Sequence, residues 1–291
     1  MTILISGATG FLGSYLVKYF VNQKYDVIAL KRSTSNTYRI DSYLDKILFY
    51  DVDKIAISTI FKENKVDMVI HTVTDYGRKH ASITSTVHTN LMFGLELLET
   101  SIATNVKAFI NTDTLLHKDI NAYALSKAQF VEWMKFFSDK NTKMINIKLE
   151  HMYGVLDDKN KFIYWLINQL KQNQEKIDLT SGEQKRDFIY IDDIISAYNC
   201  IVENINTFAN FEEIELGTGS SIPVKEFVER IYKILQMNQQ ITTKLNFGAI
   251  DYRANENMNM VADISKLKKL GWYAKVSIDD GIQKILDGES E

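Results

Sequence analysis

The sequence predicts an α/β fold in which a doubly wound parallel sheet is joined by a smaller, interleaved C-terminal lobe. Short runs rich in β-branched residues alternate with amphipathic stretches through the first half of the chain. That alternation is typical of βαβ units. A glycine-rich turn stands between the first strand and the first helix. Beyond Tyr153 and Gly154 the alternation loosens, which indicates a second lobe.

The predicted elements of the sheet follow one another along this first half. The strands are expected at TILIS, DVIAL, KILFYDV, MVIHTV, KAFINT and MINIKLE, with helices from about Phe11, near 54–64, around 89–104 and at about 121–137. Since the sequence contains no flexible linker, we expect the two domains to be interleaved. Residues 1–153, with 187–217 returning to them, are expected to form the sheet domain, and residues 154–186 and 218–291 the second lobe.

Composition excludes several classes of protein. The net charge of −3 comes without a basic stripe or tail, so the sequence argues against nucleic acid as a partner. The single Cys200 cannot form an intramolecular disulfide, and the five scattered histidines lack metal-ligand spacing, so we expect no metal and a reducing compartment. No window approaches the roughly 20 apolar residues that span a bilayer, and the N-terminus lacks the pattern of a signal peptide. We therefore expect a cytoplasmic protein without a membrane partner.

The glycine-rich turn is the first candidate binding site. Gly7, Gly10 and Gly13 stand in GATGFLG, directly after the first strand and at the start of the first helix. Glycine lets the backbone approach a pyrophosphate, and a helix N-terminus offers unpaired N–H groups. A tight turn with close helix packing also produces such a triplet, but its placement here favours dinucleotide binding. The expected cofactor contacts of this turn are Gly7, Thr9, Gly10, Phe11, Leu12 and Gly13.

The end of the second strand carries the residues expected to read the adenosine ribose. It contains Lys31, Arg32 and Ser33 and no carboxylate for a 2'-hydroxyl, whereas Arg32 can pair bidentately with a 2'-phosphate. This favours NADP(H), with NAD(H) as the alternative; a solvated loop charge also explains Arg32. Asp51 and Val52, at the end of the third strand, are expected near the adenine, although an acid there equally caps the following helix.

Tyr123 and Lys127 form the candidate proton-handling pair. They stand four residues apart in NAYALSK, on a predicted helix, so both side chains project from one face. We expect the neighbouring ammonium to lower the pKa of the phenol from its usual value near 10. Tyr50 and Lys54 have the same spacing but lie at a strand end, so position on a helix favours Tyr123 and Lys127.

Thr112 is predicted to end the strand KAFINT. Strand C-termini in open parallel sheets border the cofactor crevice, so the Thr112 hydroxyl is expected to hydrogen-bond a substrate oxygen beside Tyr123. A threonine that caps the next turn is the alternative.

These motifs together resemble one family. GATGFLG, the Tyr-x-x-x-Lys pair, the strand-end threonine and RDFIYIDD are similar to the extended short-chain dehydrogenase/reductases, the epimerase and dehydratase family that acts on nucleotide sugars. The resemblance covers essentially the whole chain. TDYGRKH, FINTDTLLHK, NAYALSKAQF, EHMYG and LTSGEQKRDFIYIDD look most like the bacterial CDP-abequose and CDP-paratose synthases, which reduce a nucleotide-linked 4-keto sugar.

The resemblance implies further roles. The first domain would bind the dinucleotide and the second lobe a nucleotide-sugar substrate, in a homodimer formed through the helices around 90–104 and 123–137. Arg186 and Arg253 would clamp the nucleotide diphosphate, with structural salt bridges as the alternative. Asn90 would lie in the helix behind the nicotinamide. Thr72, Tyr123 and Lys127 would contact the cofactor, with Lys127 holding the nicotinamide ribose. Thr74, Tyr76, Thr112 and Asp113 would contact the sugar.

The residue after Asp113 bears on the reaction. Dehydratases of this family carry an Asp-Glu pair after the strand-end threonine, whereas this chain has Asp113 followed by Thr114. A net reductase needs fresh reduced cofactor at each turnover, usually NADPH, which agrees with Lys31 and Arg32. We therefore expect NADPH-dependent reduction of the C4 ketone of a nucleotide-linked 4-keto-(di)deoxy sugar. The alternatives are an NAD-dependent 4-epimerase or dehydratase, and a cofactor-binding protein without catalysis.

Overall fold

A computed structural model describes residues 1–78, 82–253 and 256–288. Lys79 and His80 of TDYGRKH, and Ala254 and Asn255 beside Arg253, lie outside the described residues. The strands and α-helices, in chain order, are β1 Thr2–Ser6, α1 Phe11–Asn22, β2 Asp26–Lys31, β3 Leu48–Asp51, α2 Ile57–Glu63, β4 Met68–His71, α3 Ile83–Val87, α4 Phe93–Ala103, β5 Ala108–Thr114, α5 Ala122–Phe136, β6 Lys143–Leu149, β7 His151–Tyr153, α6 Phe162–Lys171, β8 Lys176–Leu179, β9 Lys185–Arg186, β10 Phe188–Tyr190, α7 Ile191–Glu203, β11 Phe211–Leu216, β12 Ile222–Pro223, α8 Val224–Asn238, β13 Lys244–Phe247, α9 Ser265–Lys269 and α10 Ile278–Gly288.

The predicted doubly wound sheet is confirmed. Seven strands form one sheet in the order β11-β6-β5-β4-β1-β2-β3, and β1 runs parallel to both of its neighbours, β2 and β4. The chain proceeds from β1 outward to β3 and then returns to β4 on the other side of β1. Ligands of such sheets bind at the carboxyl ends of the strands where the order reverses. Ser6 and His71, which end β1 and β4, mark that point.

Helices pack on the sheet through a continuous apolar core. The strands contribute fully buried residues such as Leu4, Val69 and Phe109, and the helices contribute Leu97 and Phe130. Burying one such side chain stabilises the fold by roughly 1.5–3 kcal/mol. This core fixes the strand ends and helix starts that carry the candidate site.

The helical stretch predicted around 89–104 is longer and less regular than expected. It begins at Ile83, because the Ser82 side chain caps the helix by accepting a hydrogen bond from the Ser85 N–H. Between α3 and α4 a π-helical segment spans His88–Met92, closed by a hydrogen bond from the Phe93 N–H to the His88 carbonyl. This wider turn contains the fully buried Asn90.

The chain divides into two compact units. The first contains Met1–Lys148 and Asn199–Ile214, and the second Leu149–Tyr198 and Glu215–Glu291. In the second unit, short strands pair as β7 with β10, β9 with β12 and β8 with β13. The domain boundaries expected from the sequence, and the role of the second lobe in substrate binding, stay predictions. Within the described residues, no helix combines the length and apolarity needed to cross a membrane.

A buried carboxylate organises the second unit. Asp187 accepts hydrogen bonds from the N–H and hydroxyl of Thr218, at 2.8 and 2.6 Å, and from the Gly219 and Ala262 N–H groups, at 2.9 and 3.3 Å. A Cβ atom at Gly217 would collide with this carboxylate, so glycine is required there. Asp187, the first aspartate of the motif RDFIYIDD, therefore has a structural role.

Candidate functional site

The glycine-rich turn fits a dinucleotide. Gly7 has φ +73°, and a Cβ atom there would lie 2.7 Å from Thr72 Oγ1; a Cβ atom at Gly13 would collide with the Gly7 carbonyl oxygen. Helix α1 starts at Phe11, directly after Gly10, without a side-chain cap and without an acid in its first turn. The backbone is therefore open to a close approach, and the positive end of the helix dipole is not neutralised by the protein.

Two of the residues predicted to contact the cofactor neutralise each other. Lys31 and Asp51 stand opposite one another in the β2–β3 register, and Lys31 Nζ lies 2.5 Å from Asp51 Oδ1. Lys54 Nζ approaches the other carboxylate oxygen at 3.8 Å. Arg32 is exposed, and its N–H donates to Ser35 Oγ at 3.2 Å. Arg32 is thus the predicted cation that remains for a 2'-phosphate.

The structure adds two charged residues near these predicted cofactor contacts that the sequence did not single out. Asp53, after β3, accepts hydrogen bonds from the Ser33 N–H at 2.7 Å and the Ser33 hydroxyl at 2.5 Å. The buried guanidinium of Arg39 donates to the Thr9 carbonyl of the glycine-rich turn at 3.3 Å and lies 4.7 Å from the centre of the Tyr38 ring. No spacing rule links either residue to its partner, because both contacts join loops distant in sequence.

Lys127 is held rigidly inside the first unit. Helix α5 begins at Ala122, and the preceding Asn121 caps it: its side chain accepts a hydrogen bond from the Ala124 N–H at 2.9 Å. Lys127 lies one helical turn into α5 and is 1% exposed. Its Nζ donates to the carbonyls of Val73, at 3.2 Å, and Thr112, at 2.9 Å. Burial lowers the pKa of Lys127 to about 8, although the Asp113 carboxylate opposes this change.

Tyr123 differs from the expectation. Its pKa is raised well above the usual value, chiefly by burial and then by Tyr76, while a hydrogen bond with the Thr114 side chain opposes the rise. The expected lowering by Lys127 is not found; the Lys127 ammonium instead donates to two backbone carbonyls. Tyr123 therefore keeps its proton throughout the neutral range, which suits a proton donor.

Strand β5 runs to Thr114, two residues beyond its predicted end. Thr112 is buried, and its carbonyl holds Lys127. Side chains two residues apart in a strand share a face, so Thr112 and Thr114 lie on the same side of β5. The Thr114 side chain hydrogen-bonds with Tyr123. The alternation of side chains along a strand would have indicated Thr114 from the sequence if the strand had been predicted to continue past Thr112.

The loop after β4 reaches the same tyrosine. Thr72 donates a hydrogen bond to the Ser6 carbonyl at 2.8 Å and so packs against the glycine-rich turn, and Thr74 is half-buried. The Tyr76 ring centre lies 5.1 Å from that of Tyr123. The predicted contacts Thr72 and Tyr76 thus adjoin the glycine turn and the candidate proton donor, respectively.

Asn90 ties this loop to helix α5. Its Oδ1 accepts a hydrogen bond from the Asp75 N–H at 2.7 Å, and its Nδ2 donates to the Asp75 carbonyl at 2.9 Å and to Ser126 Oγ at 3.0 Å. Ser126 in turn donates to the Tyr123 carbonyl at 2.8 Å. Asn90 therefore fixes the loop that carries Tyr76 relative to the helix that carries Tyr123.

Asp113 belongs to a buried polar row that crosses the sheet. Asn146 Nδ2 donates to Asp113 Oδ2 at 3.0 Å, and Asn111 Nδ2 donates to Asn146 Oδ1 at 2.8 Å. On β11, Glu213 lies 3.4 Å from Asn146 and pairs with Lys148 at 3.1 Å. The row joins β5, β6 and β11 and holds the Asp113 carboxylate behind Lys127.

His71 is buried beside this site. Its Nδ1 lies 2.7 Å from Ser6 Oγ, and its Nε2 has no hydrogen-bond partner. Burial and the Lys127 ammonium hold the pKa of His71 well below its usual range, so the ring is neutral. In the part of the chain that the structure describes, no three His, Cys, Asp or Glu side chains are grouped to hold a metal ion.

The two candidate diphosphate-binding arginines lie in the second unit. Arg186 is buried, donates to the carbonyls of Lys185 and Asn257, each at 2.7 Å, and forms an ion pair with Glu256. The structural salt bridge considered as an alternative for Arg186 is therefore present. Arg253 is exposed and directly precedes Ala254 and Asn255, which are not among the described residues.

Comparison with known proteins identifies relatives over the whole chain. The model of the NAD dependent epimerase/dehydratase family matches residues 3–217. The CDP-abequose synthase of Salmonella muenchen is 36% identical and covers 98% of this chain and 96% of its own. The dTDP-4-dehydro-6-deoxyglucose reductase of Escherichia coli is 25% identical, with 98% and 96% covered.

Solved structures agree on the fold. The UDP-glucose 4-epimerase of Thermotoga maritima, determined with UDP-glucose, has a TM-score of 0.83 at 22% identity and covers 100% of this chain and 99% of its own. The UDP-glucuronic acid 4-epimerase of Bacillus cereus, determined with UDP-glucuronic acid and NAD, has a TM-score of 0.83 at 21% identity, with 100% and 99% covered. The chain belongs to the NAD-dependent epimerase/dehydratase family, the extended branch of the short-chain dehydrogenase/reductases, and is an NAD(P)-dependent oxidoreductase of that type.

Proposed function

We propose that this enzyme reduces the C4 ketone of a nucleotide-linked 4-keto-(di)deoxy sugar with NADPH, in the synthesis of a deoxysugar. The observation that carries the proposal is Tyr123, kept protonated by burial and hydrogen-bonded to Thr114 where dehydratases of the family carry a glutamate. The similarity to a CDP-abequose synthase and to a dTDP-4-dehydro-6-deoxyglucose reductase supports the same class of substrate.

The cofactor would be held by the first unit. Gly7, Gly10 and Gly13 would receive the pyrophosphate at the start of α1, and Arg39 adds a cation to the same turn. Arg32 supports the preference for NADP(H), since a guanidinium pairs well with a 2'-phosphate. The reduced nicotinamide, when bound, supplies the hydride.

The chain's own residues supply the proton. Tyr123 donates its phenolic proton to the ketone oxygen as that oxygen gains negative charge. A developing alkoxide is more basic than a phenolate, so this transfer is favourable even with the raised pKa of Tyr123. The Lys127 ammonium, protonated at neutral pH since its pKa is about 8, holds the Val73 and Thr112 carbonyls and would support the proton transfer by fixing the backbone beside α5.

The same residues argue against dehydration. Elimination of water requires an acid and a base besides the tyrosine. The Thr114 hydroxyl does not ionise in the neutral range, and the Asp113 carboxylate is engaged by Asn146. Tyr123 therefore remains as a proton donor at this position, which is what a ketone reduction needs.

The test is a turnover assay. Purified protein is mixed with NADPH and either CDP-4-keto-3,6-dideoxyglucose or dTDP-4-keto-6-deoxyglucose. The absorbance of the reduced nicotinamide is expected to fall as NADPH is oxidised, and Tyr123→Phe is expected to abolish this loss of absorbance. Tyr50→Phe is the matched control, because Tyr50 and Lys54 have the same spacing; it should retain activity. Epimerisation of UDP-sugars with tightly bound NAD and no ketone reduction would refute the proposal. NADPH binding without turnover of any nucleotide sugar would favour the non-catalytic alternative.

We propose further that the enzyme is a homodimer formed through α4 and α5. Helix α5 exposes large apolar side chains on one face, with Leu125, Trp133 and Phe136 exposed by 43%, 41% and 70%. Such a patch is typical of an interface between protein chains. Size-exclusion chromatography with light scattering should give a dimer, and Phe136→Glu a monomer. A wild-type monomer at micromolar concentration would refute this assignment.

A further inference from the structure

The Ser33–Asp53 contact lies where the adenosine ribose is expected. Ser33 follows β2, and both of its hydrogen-bond donors, the backbone N–H and the side-chain hydroxyl, are directed at the two carboxylate oxygens of Asp53. Asp53 belongs to a different loop, the one after β3, and is exposed. These hydrogen bonds lower the pKa of Asp53, so the carboxylate is charged at neutral pH.

A backbone N–H and a hydroxyl in this position are the donors that a 2'-phosphate requires. A carboxylate bound to them is an internal anion in the place of the phosphate. A 2'-phosphate must displace Asp53 or bear its repulsion, whereas a 2'-hydroxyl finds an anionic acceptor. We infer that Asp53 sets the balance between NADP(H) and NAD(H) in this enzyme, by competing with a 2'-phosphate for Ser33.

The surrounding charges make this one residue decisive. The Lys31 ammonium is already paired with Asp51 at 2.5 Å, so it adds little positive charge to the ribose site. Arg32, next to Ser33, is the cation that attracts a phosphate, and Asp53 opposes it. Removing the Asp53 charge therefore leaves both Arg32 and the Ser33 donors available to the phosphate.

The inference rests on the proposed cofactor site and is tested by binding alone. Dissociation constants for NADP⁺ and NAD⁺ are measured calorimetrically for the wild type, Asp53→Asn and the control Asp45→Asn, which removes the same charge from an exposed site in the segment Asp41–Lys46. Asp53→Asn is expected to improve the affinity for NADP⁺ relative to NAD⁺ by about tenfold, since it removes a repulsion between charges a few ångströms apart. Asp45→Asn should change the ratio less than about twofold, because Asp45 is exposed and salt screens the interactions of exposed charges.

Two results would overturn the inference: an unchanged ratio in Asp53→Asn, or an equal shift in Asp45→Asn. The two proposals fail separately in this experiment. A wild type that binds NAD⁺ more tightly than NADP⁺ contradicts the proposed NADPH preference, while a shift of the ratio in Asp53→Asn still supports the role of Asp53.

Discussion

Replacing Lys127 with methionine should change how the stability of the protein depends on pH. Lys127 is almost completely buried, and burial lowers its pKa from 10.5 to about 8. Between these two values the unfolded chain keeps the lysine proton and the folded protein releases it. The unfolded state therefore binds more protons in this range, and the free energy of unfolding rises with pH. Below pH 8 both states are protonated, and the contribution of Lys127 is constant.

The size of the effect follows from the two pKa values. Relative to pH 7, the Lys127 contribution to the free energy of unfolding rises by about 1 kcal/mol at pH 9 and by about 2–3 kcal/mol at pH 10. Lys127→Met has no group that titrates at this position. The difference in stability between the wild type and Lys127→Met should therefore grow by these amounts in favour of the wild type.

Urea unfolding of both proteins at pH 7, 8, 9 and 10 measures this difference, and the other titrating groups cancel in the comparison. Lys54→Met is the control, because Lys54 is exposed, and its difference from the wild type should stay nearly constant. A flat difference for Lys127→Met from pH 7 to pH 10 would refute the argument that burial dominates the environment of Lys127.

Three further outcomes follow from the geometry of the first unit. Arg39→Met should weaken NADP⁺ and NAD⁺ alike in calorimetric binding, because the Thr9 contact places the guanidinium at the pyrophosphate turn; selective loss of NADP⁺ would assign Arg39 to the 2'-phosphate instead. Asn90→Ala should lower the free energy of unfolding by about 2–3 kcal/mol in urea titration, since Asp75 and Ser126 lose partners; a change below about 0.5 kcal/mol would contradict its bridging role. Thr114→Val should lower kcat of ketone reduction by about tenfold without changing cofactor affinity, because the hydrogen bond to Tyr123 is lost; an unchanged kcat would exclude Thr114.

The parallel sheet and the succession of strands and helices along the chain could be predicted from the sequence, because hydrophobic periodicity follows from which side chains are buried. The Asn121 cap and the GATGFLG turn also have local signatures, so α1 and α5 were predicted near their observed starts. The family membership rested on the same short motifs and is confirmed.

The electrostatics of the site were less predictable. The Tyr-x-x-x-Lys spacing fixes which helix face the two residues share, but it does not fix where the ammonium points; only the packed structure shows Lys127 bound to two carbonyls. The Lys31–Asp51 and Ser33–Asp53 contacts depend on how β2 and β3 are aligned, which composition does not encode. Pairings between loops arise from tertiary structure, so no local pattern revealed them.

The π-helical turn at His88–Met92 also has a consequence for deletions. It accommodates one residue more than a regular α-helix of the same length requires, because its hydrogen bond spans five residues rather than four. Deleting Thr89 would close this turn into a continuous α-helix, in which Ile83–Val87 and α4 keep their faces while Asn90 loses the widened turn that holds it. Such a protein would remain folded while the loop carrying Tyr76 lost its attachment at Asn90. A helix can therefore form here without the extra residue, whereas the attachment of the active-site loop at Asn90 requires it.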